Sequence, residues 1–155
     1  MVYAGVPPMN ASFPPIAALF PHGPAILMLD ALDAWEPRFV QCSTQVREDS
    51  PFVENGTLSS LITLEHLAQT IATYLGYEAH LRGKGPSIGM VVAVRNYRLF
   101  RPSIAVGEQL VLRATMTQGD TERSQFEGEV LSKGECVARG VLTLVRARDL
   151  PAKTL

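Results

Sequence analysis

The chain has 155 residues, a 46% hydrophobic fraction and a formal net charge of −1. That length holds one domain with a core of its own, and the balanced charge excludes the strong electrostatic bias of a nucleic-acid or anionic-membrane binder. Two cysteines, Cys42 and Cys136, sit in strand-like apolar runs without a CxxC spacing, so they read as small buried hydrophobes, and no metal or other cofactor is expected.

Residues 1–15 are proline-rich and read as an extended arm on a single domain spanning 1–155. They lack the basic and apolar regions of a signal peptide, so a cytoplasmic location is expected. Ile16–Phe20 reads as a helical turn that stops at Pro21, and Pro21, Gly23 and Pro24 shape a loop ahead of a buried apolar run, Ile26–Leu29. Leu32–Trp35 begins a strand, and Glu36-Pro37 turns the chain. Val40, Cys42, Thr44 and Val46 alternate with Gln41, Ser43 and Gln45, the pattern of a half-exposed strand. Residues 47–58 read as a polar loop in which Asn55-Gly56 marks a turn.

Next comes the most periodic stretch, Ser59 to Arg82. Leu64, Leu67, Ala68, Ile71, Ala72, Leu75 and Ala79 recur at helical steps. Ser59 or Ser60 can cap its start, and Gly83, Gly85 and Pro86 end it. The segment makes a rod of roughly 35 Å and is too polar to cross a membrane. At ~100° per residue, Glu65 falls on the rim of the apolar stripe with Gln69 and Gly76 on its side. His66 falls on the opposite, polar side. It is expected to be solvated, as is His80.

After the helix, Ile88–Phe100 reads as a long strand and 101–108 as a turn-rich connection. Leu110, Leu112, Ala114 and Met116 share one face of the next strand. Gly119-Asp120 marks a hairpin, Phe126, Gly128 and Val130 alternate beyond it, Lys133-Gly134 marks another, and Cys136–Val145 is the last strand. The tail, 147–155, is polar and reads as frayed. Consecutive strands joined by tight turns mean an antiparallel sheet. The expected architecture is therefore α+β: a six-stranded antiparallel sheet wrapped around one long central helix. Its open edges make a dimer the natural form.

Several phrases occur in this order: Phe20-Pro21-His22 with the apolar run to Asp30, Pro51-Phe52, Leu64-Glu65-His66-Leu67-Ala68-Gln69, and Arg101-Pro102 with Val106-Gly107-Glu108. Together they resemble the hotdog-fold β-hydroxyacyl-acyl-carrier-protein dehydratases, over roughly residues 19–145. The chain looks closest to the divergent dehydratase-like subunits of aryl polyene biosynthesis clusters. The resemblance implies a catalytic carboxylate at Glu65, a phosphopantetheine-borne substrate on an acyl carrier protein, and a homodimer or a heterodimer with another hotdog dehydratase. It also exposes a departure: the family's catalytic histidine precedes the helix in a G-H-F-P-G phrase, and here that stretch reads PFVENGTLSS, with no histidine.

Dehydration of a 3-hydroxyacyl thioester removes an α-proton and expels the β-hydroxyl, so one group takes a proton and another supplies one. Glu65 is the first candidate, and His22 is a replacement base if its loop folds over the helix start. Ser60 and Leu61, at the helix start, are candidate backbone N–H donors to the thioester oxygen. Asn55 and Gln69 are candidate hydrogen-bonding contacts to substrate. The bland alternatives are a structural carboxylate at Glu65, a loop-holding His22 and a plain turn at Asn55-Gly56. Arg95, Arg98 and Arg101 read as a solvated face that an acyl carrier can also use. Three functions stay open: a dehydratase subunit, a non-catalytic partner or scaffold for an active dehydratase, and an acyl thioesterase with Glu65 activating water.

Overall fold

Alternation along the sequence becomes a sheet in the computed structural model, which describes residues 12–21, 24–86, 89–120 and 122–146. Among the described residues nine strands form: β1 (Ala31–Glu36), β2 (Phe39–Gln45), β3 (Val53–Glu54), β4 (Thr57–Ser59), β5 (Gly89–Leu99), β6 (Ser103–Ala105), β7 (Gln109–Gly119), β8 (Arg123–Ser132) and β9 (Glu135–Arg146). Six of them make one antiparallel sheet in the order β1-β2-β7-β8-β9-β5. Val40, Cys42, Leu110, Leu112, Ala114, Phe126, Val130 and Leu142 point inward and are buried. Each large one contributes roughly 1.5–3 kcal/mol of hydrophobic stabilisation. The long helix, α2 (Thr63–Leu81), lies across that inner face behind a single 3₁₀ turn, Ser60–Ile62. This is the hotdog arrangement of sheet around helix.

The stretch expected to be a polar loop, 47–58, is partly sheet. Asn55 and Gly56 both have positive φ, 52° and 75°, the geometry of a tight hairpin turn. They join β3 to β4, and β4 pairs with β6 to make a separate three-stranded sheet. The connection 101–108 holds β6 and is fixed by Glu108. That carboxylate accepts from Arg101 Nη2 at 2.6 Å, from the Ala105 N–H at 2.6 Å and from Ser132 Oγ at 2.9 Å. Burial pushes its carboxyl up, but these hydrogen bonds and the Arg101 charge outweigh burial and hold it below the ordinary range.

Two expectations about exposure are corrected. Ile26, placed in a buried run, is 54% exposed, because Pro24–Ile26 forms a 3₁₀ turn on the surface rather than strand. Cys42 is buried as expected, whereas Cys136 is half-buried and its thiol donates to the Ala138 carbonyl at 3.4 Å.

A short helix, α1 (Ile16–Leu19), lays the N-terminal segment against α2. Gly76 permits this: a Cβ there would overlap the Leu19 carbonyl oxygen, a backbone atom with little freedom to move. Gly in a helix ordinarily costs about 1 kcal/mol relative to Ala. Here Gly76→Ala is expected to reverse that sign and destabilise by about 2 kcal/mol, as overpacking does. Urea unfolding of the two proteins measures it, and an unchanged or raised midpoint would count against this packing.

Candidate active site

Glu65 sits in the first turn of α2, where the helix dipole favours a negative side chain. Its side chain faces outward and is exposed. One turn later stands Gln69, which is buried with 2% exposure. Gln69 Nε2 donates to Glu65 Oε1 at 3.0 Å and to the Ile26 carbonyl at 2.9 Å, while Gln69 Oε1 accepts from the Met28 N–H at 2.7 Å. One amide therefore ties the carboxylate to the segment that crosses in front of the helix. The other Glu65 oxygen accepts no hydrogen bond among the described residues. Gln69→Leu leaves the Met28 N–H and the Ile26 carbonyl without their partner. It is expected to cost about 2 kcal/mol, read as a lowered urea midpoint.

The helix start is closed. Ser59 caps it, its Oγ accepting from the Leu61 N–H at 3.3 Å, and the Ser60 N–H donates to the Pro102 carbonyl at 3.0 Å. Neither Ser60 nor Leu61 offers the free N–H expected of it, because the cap and β6's approach use both. Ser60 is fully buried, with no partner for its Oγ among the described residues, while the Leu61 side chain is 66% exposed. Asn55 stands at the exposed hairpin turn between β3 and β4. His22 lies outside the described residues.

His66 is not solvated: it is 3% exposed. Its Nδ1–H donates to the Ile62 carbonyl at 3.1 Å, and burial, outweighing that bond, pushes its pKa down to about 4. Its neighbours on this side of the helix are also buried and polar, and they use the same device. Thr63 Oγ1 donates to the Ser60 carbonyl, Thr70 Oγ1 to the His66 carbonyl and Thr73 Oγ1 to the Gln69 carbonyl. Side chains bonded back to the preceding turn satisfy themselves without water. Thr63 Oγ1 also accepts from the Tyr97 hydroxyl of β5 at 2.6 Å. His80 is exposed as expected, but it is fifteen residues along the helix from Glu65, roughly 22 Å away. Neither described histidine is placed to share a reacting centre with Glu65.

What lies beside Glu65 is uncovered surface. Leu64, Ala68 and Ala72, expected to be core, are only half-buried. The outermost strand β5 shows Met90 at 47%, Val92 at 49% and Val94 at 38% exposure, on a sheet edge with free backbone groups. The small residues at Ala68 and Ala72 are the sequence feature that anticipates this open strip. Among the described residues no cluster of His, Cys, Asp and Glu could hold a metal ion, and no helix is long and apolar enough to cross a membrane.

A family model described as ApeP dehydratase, ApeP-like, matches residues 14–154. A chain of the dehydratase heterocomplex ApeI:P from Xenorhabdus doucetiae is similar at 26% identity and a TM-score of 0.84, over 92% of this chain and 95% of that one. The TT0310 protein from Thermus thermophilus is similar at 20% identity and a TM-score of 0.57, over 75% of this chain and 90% of that one. A hypothetical thioesterase with coenzyme A from Streptococcus pneumoniae is similar at 8% identity and a TM-score of 0.60, over 76% and 87%. The last two share the fold alone. No curated protein sequence matches the chain.

Proposed function

The chain belongs to the ApeP-like dehydratase family, and from that membership we propose that it is one subunit of a paired hotdog dehydratase acting on 3-hydroxyacyl thioesters. The substrate arrives on the phosphopantetheine arm of an acyl carrier protein. A histidine of a second hotdog subunit takes the α-proton. Glu65 serves the departing β-hydroxyl, as acid or by orienting it, and the products are an enoyl thioester and water. His22 is the base from this chain if it works alone.

The observation that carries the reading is Glu65 itself. It is exposed, held at one oxygen by a buried amide, and has no described histidine in reach. A carboxylate so held, on a helix face that its own protomer leaves open, fits a site completed by another chain. The apolar edge β5 and the half-buried Leu64, Ala68 and Ala72 offer that chain a seat. The similarity to a chain of a dehydratase heterocomplex supports a hotdog partner of a different sequence.

The test is a product assay on purified protein with a 3-hydroxyacyl carrier-protein thioester, with and without a histidine-bearing hotdog subunit. Enoyl product only in the mixture supports the reading. Enoyl product from this chain alone replaces the shared site with an autonomous one that uses His22. Free thiol and free acid would instead mean hydrolysis, and the dehydratase reading fails.

A further inference from the structure

The outer face of the sheet, turned away from α2, carries a row of side chains one residue deep across five strands. Arg98 of β5 stands opposite Arg139 of β9, Arg139 opposite Glu129 of β8, Glu129 opposite Arg113 of β7, and Arg113 opposite Gln41 of β2. Its three arginines, Arg98, Arg139 and Arg113, line a hollow of about 680 Å³ together with Glu127 and Glu129. Arg113 is accounted for: its Nε donates to Gln41 Oε1 at 2.9 Å and its Nη1 lies 3.7 Å from Glu129 Oε1. Arg139 rests over the Phe100 ring, 5.3 Å from its centre. Arg98 has no hydrogen bond or ion pair among the described residues and is exposed.

Two like charges directly opposite on neighbouring strands destabilise a sheet. Here they are both guanidiniums, in a chain whose net charge is −1, so the excess is local rather than compositional. Guanidinium, unlike ammonium, presents a planar fork matched to carboxylate or phosphate. Position adds to chemistry. From Arg98 the chain runs four residues to Pro102, whose carbonyl holds the Ser60 N–H at the start of α2, a span of at most about 14 Å. The strand that carries Arg98 thus leads within that span to the end of the helix that carries Glu65, on the other face of the sheet.

We propose that Arg98 and Arg139 are the docking contact for the acidic surface of the acyl carrier protein that delivers the substrate. This rests on the reading that the substrate is carrier-borne. The protein binds an arm and an acyl chain at Glu65, whereas the carrier itself has to sit outside, on the protein surface. Charge complementarity selects the place, and it acts on encounter rate and on salt dependence.

The test compares the wild-type complex with its partner subunit against Arg98→Glu/Arg139→Glu and the milder Arg98→Gln/Arg139→Gln. Arg82→Glu, on a different surface, is the control. Anisotropy of a fluorescent carrier protein reads binding, and enoyl formation is followed from a carrier-borne and from an N-acetylcysteamine thioester. The expected result is at least tenfold weaker carrier binding in the reversal variant, a smaller loss in the glutamine variant, and a flattened salt dependence. KM rises for the carrier-borne substrate, and the rate with the small thioester is unchanged. Equal losses with both thioesters, or unchanged carrier binding, overturn the proposal. So does an arginine-dependent change in oligomeric state or in sedimentation with phosphatidylglycerol vesicles that leaves carrier binding intact. Because binding is read separately, arginine-dependent carrier binding with no enoyl product in any mixture refutes the dehydratase reading and keeps the docking face.

Discussion

Glu65→Gln is expected to lower enoyl formation by the partnered complex about 10²–10⁴-fold, the usual worth of a positioned acid or base. The substitution isolates chemistry from structure. Glutamine's side-chain oxygen can still accept from Gln69 Nε2, so the bond that ties the helix to the Ile26–Met28 segment survives. The side chain is exposed, so no buried charge is lost. Urea midpoint and complex formation with the partner should therefore match wild type, while the turnover rate falls and binding of the carrier-borne thioester is kept. A variant that loses turnover together with its midpoint would mean that Glu65 is structural. A variant that keeps full turnover would mean that the chain contributes no acid, and that its place in the complex is that of a scaffold.

The sequence and the structure agree best where a pattern of side chains has one physical solution. Period-two burial from Phe39 to Gln45 and from Gln109 to Met116 can be met only by strands with one face inward, and those strands are present in register. Asn55-Gly56 and Lys133-Gly134 carry the positive φ that their turns require. The separate small sheet was hidden because β3 and β4 have only two and three residues, too few for periodicity, and because their pairing with β6 is a contact between distant parts of the chain.

The site was legible in part, for a related reason. The carboxylate and its amide stand out as an i, i+4 pair on one helix face, and the structure joins them. What composition conceals is which helix faces are covered. Thr63, His66, Thr70 and Thr73 look like a solvent face, yet all four are buried because each returns its hydrogen bond to the helix's own carbonyls. Leu64, Ala68 and Ala72 look like core, yet lie half open. The sheet therefore covers Leu67, Ile71 and Leu75 of the apolar stripe together with a polar-looking flank, and only the stripe's Leu64, Ala68 and Ala72 edge is half open, so the buried face is wider than the apolar pattern alone marks.

The buried polar flank has a measurable consequence at His66. In the unfolded chain its imidazole titrates near the ordinary 6.5, and in the folded protein burial holds it at about 4. The folded state therefore favours the neutral ring. Its contribution to stability is complete above about pH 6.5 and is lost as pH falls toward 4, where the unfolded chain takes up a proton that the folded protein refuses. The difference amounts to about 3 kcal/mol between neutral pH and pH 4. His66→Asn places an amide N–H where Nδ1–H donates to the Ile62 carbonyl and removes the titration. Urea unfolding of both proteins from pH 7 to pH 4 should show wild type losing about 3 kcal/mol more than the variant. The carboxylate contributions to acid unfolding, that of Glu108 with its lowered pKa among them, are common to both and drop out of the comparison. Acid limbs that coincide would mean that the His66 ring gains solvent or a carboxylate partner when it charges. A coincident result would also reopen His66 as a proton-transfer group one residue from Glu65, whereas a steeper wild-type limb keeps it a neutral part of the core and leaves the base to be supplied from elsewhere.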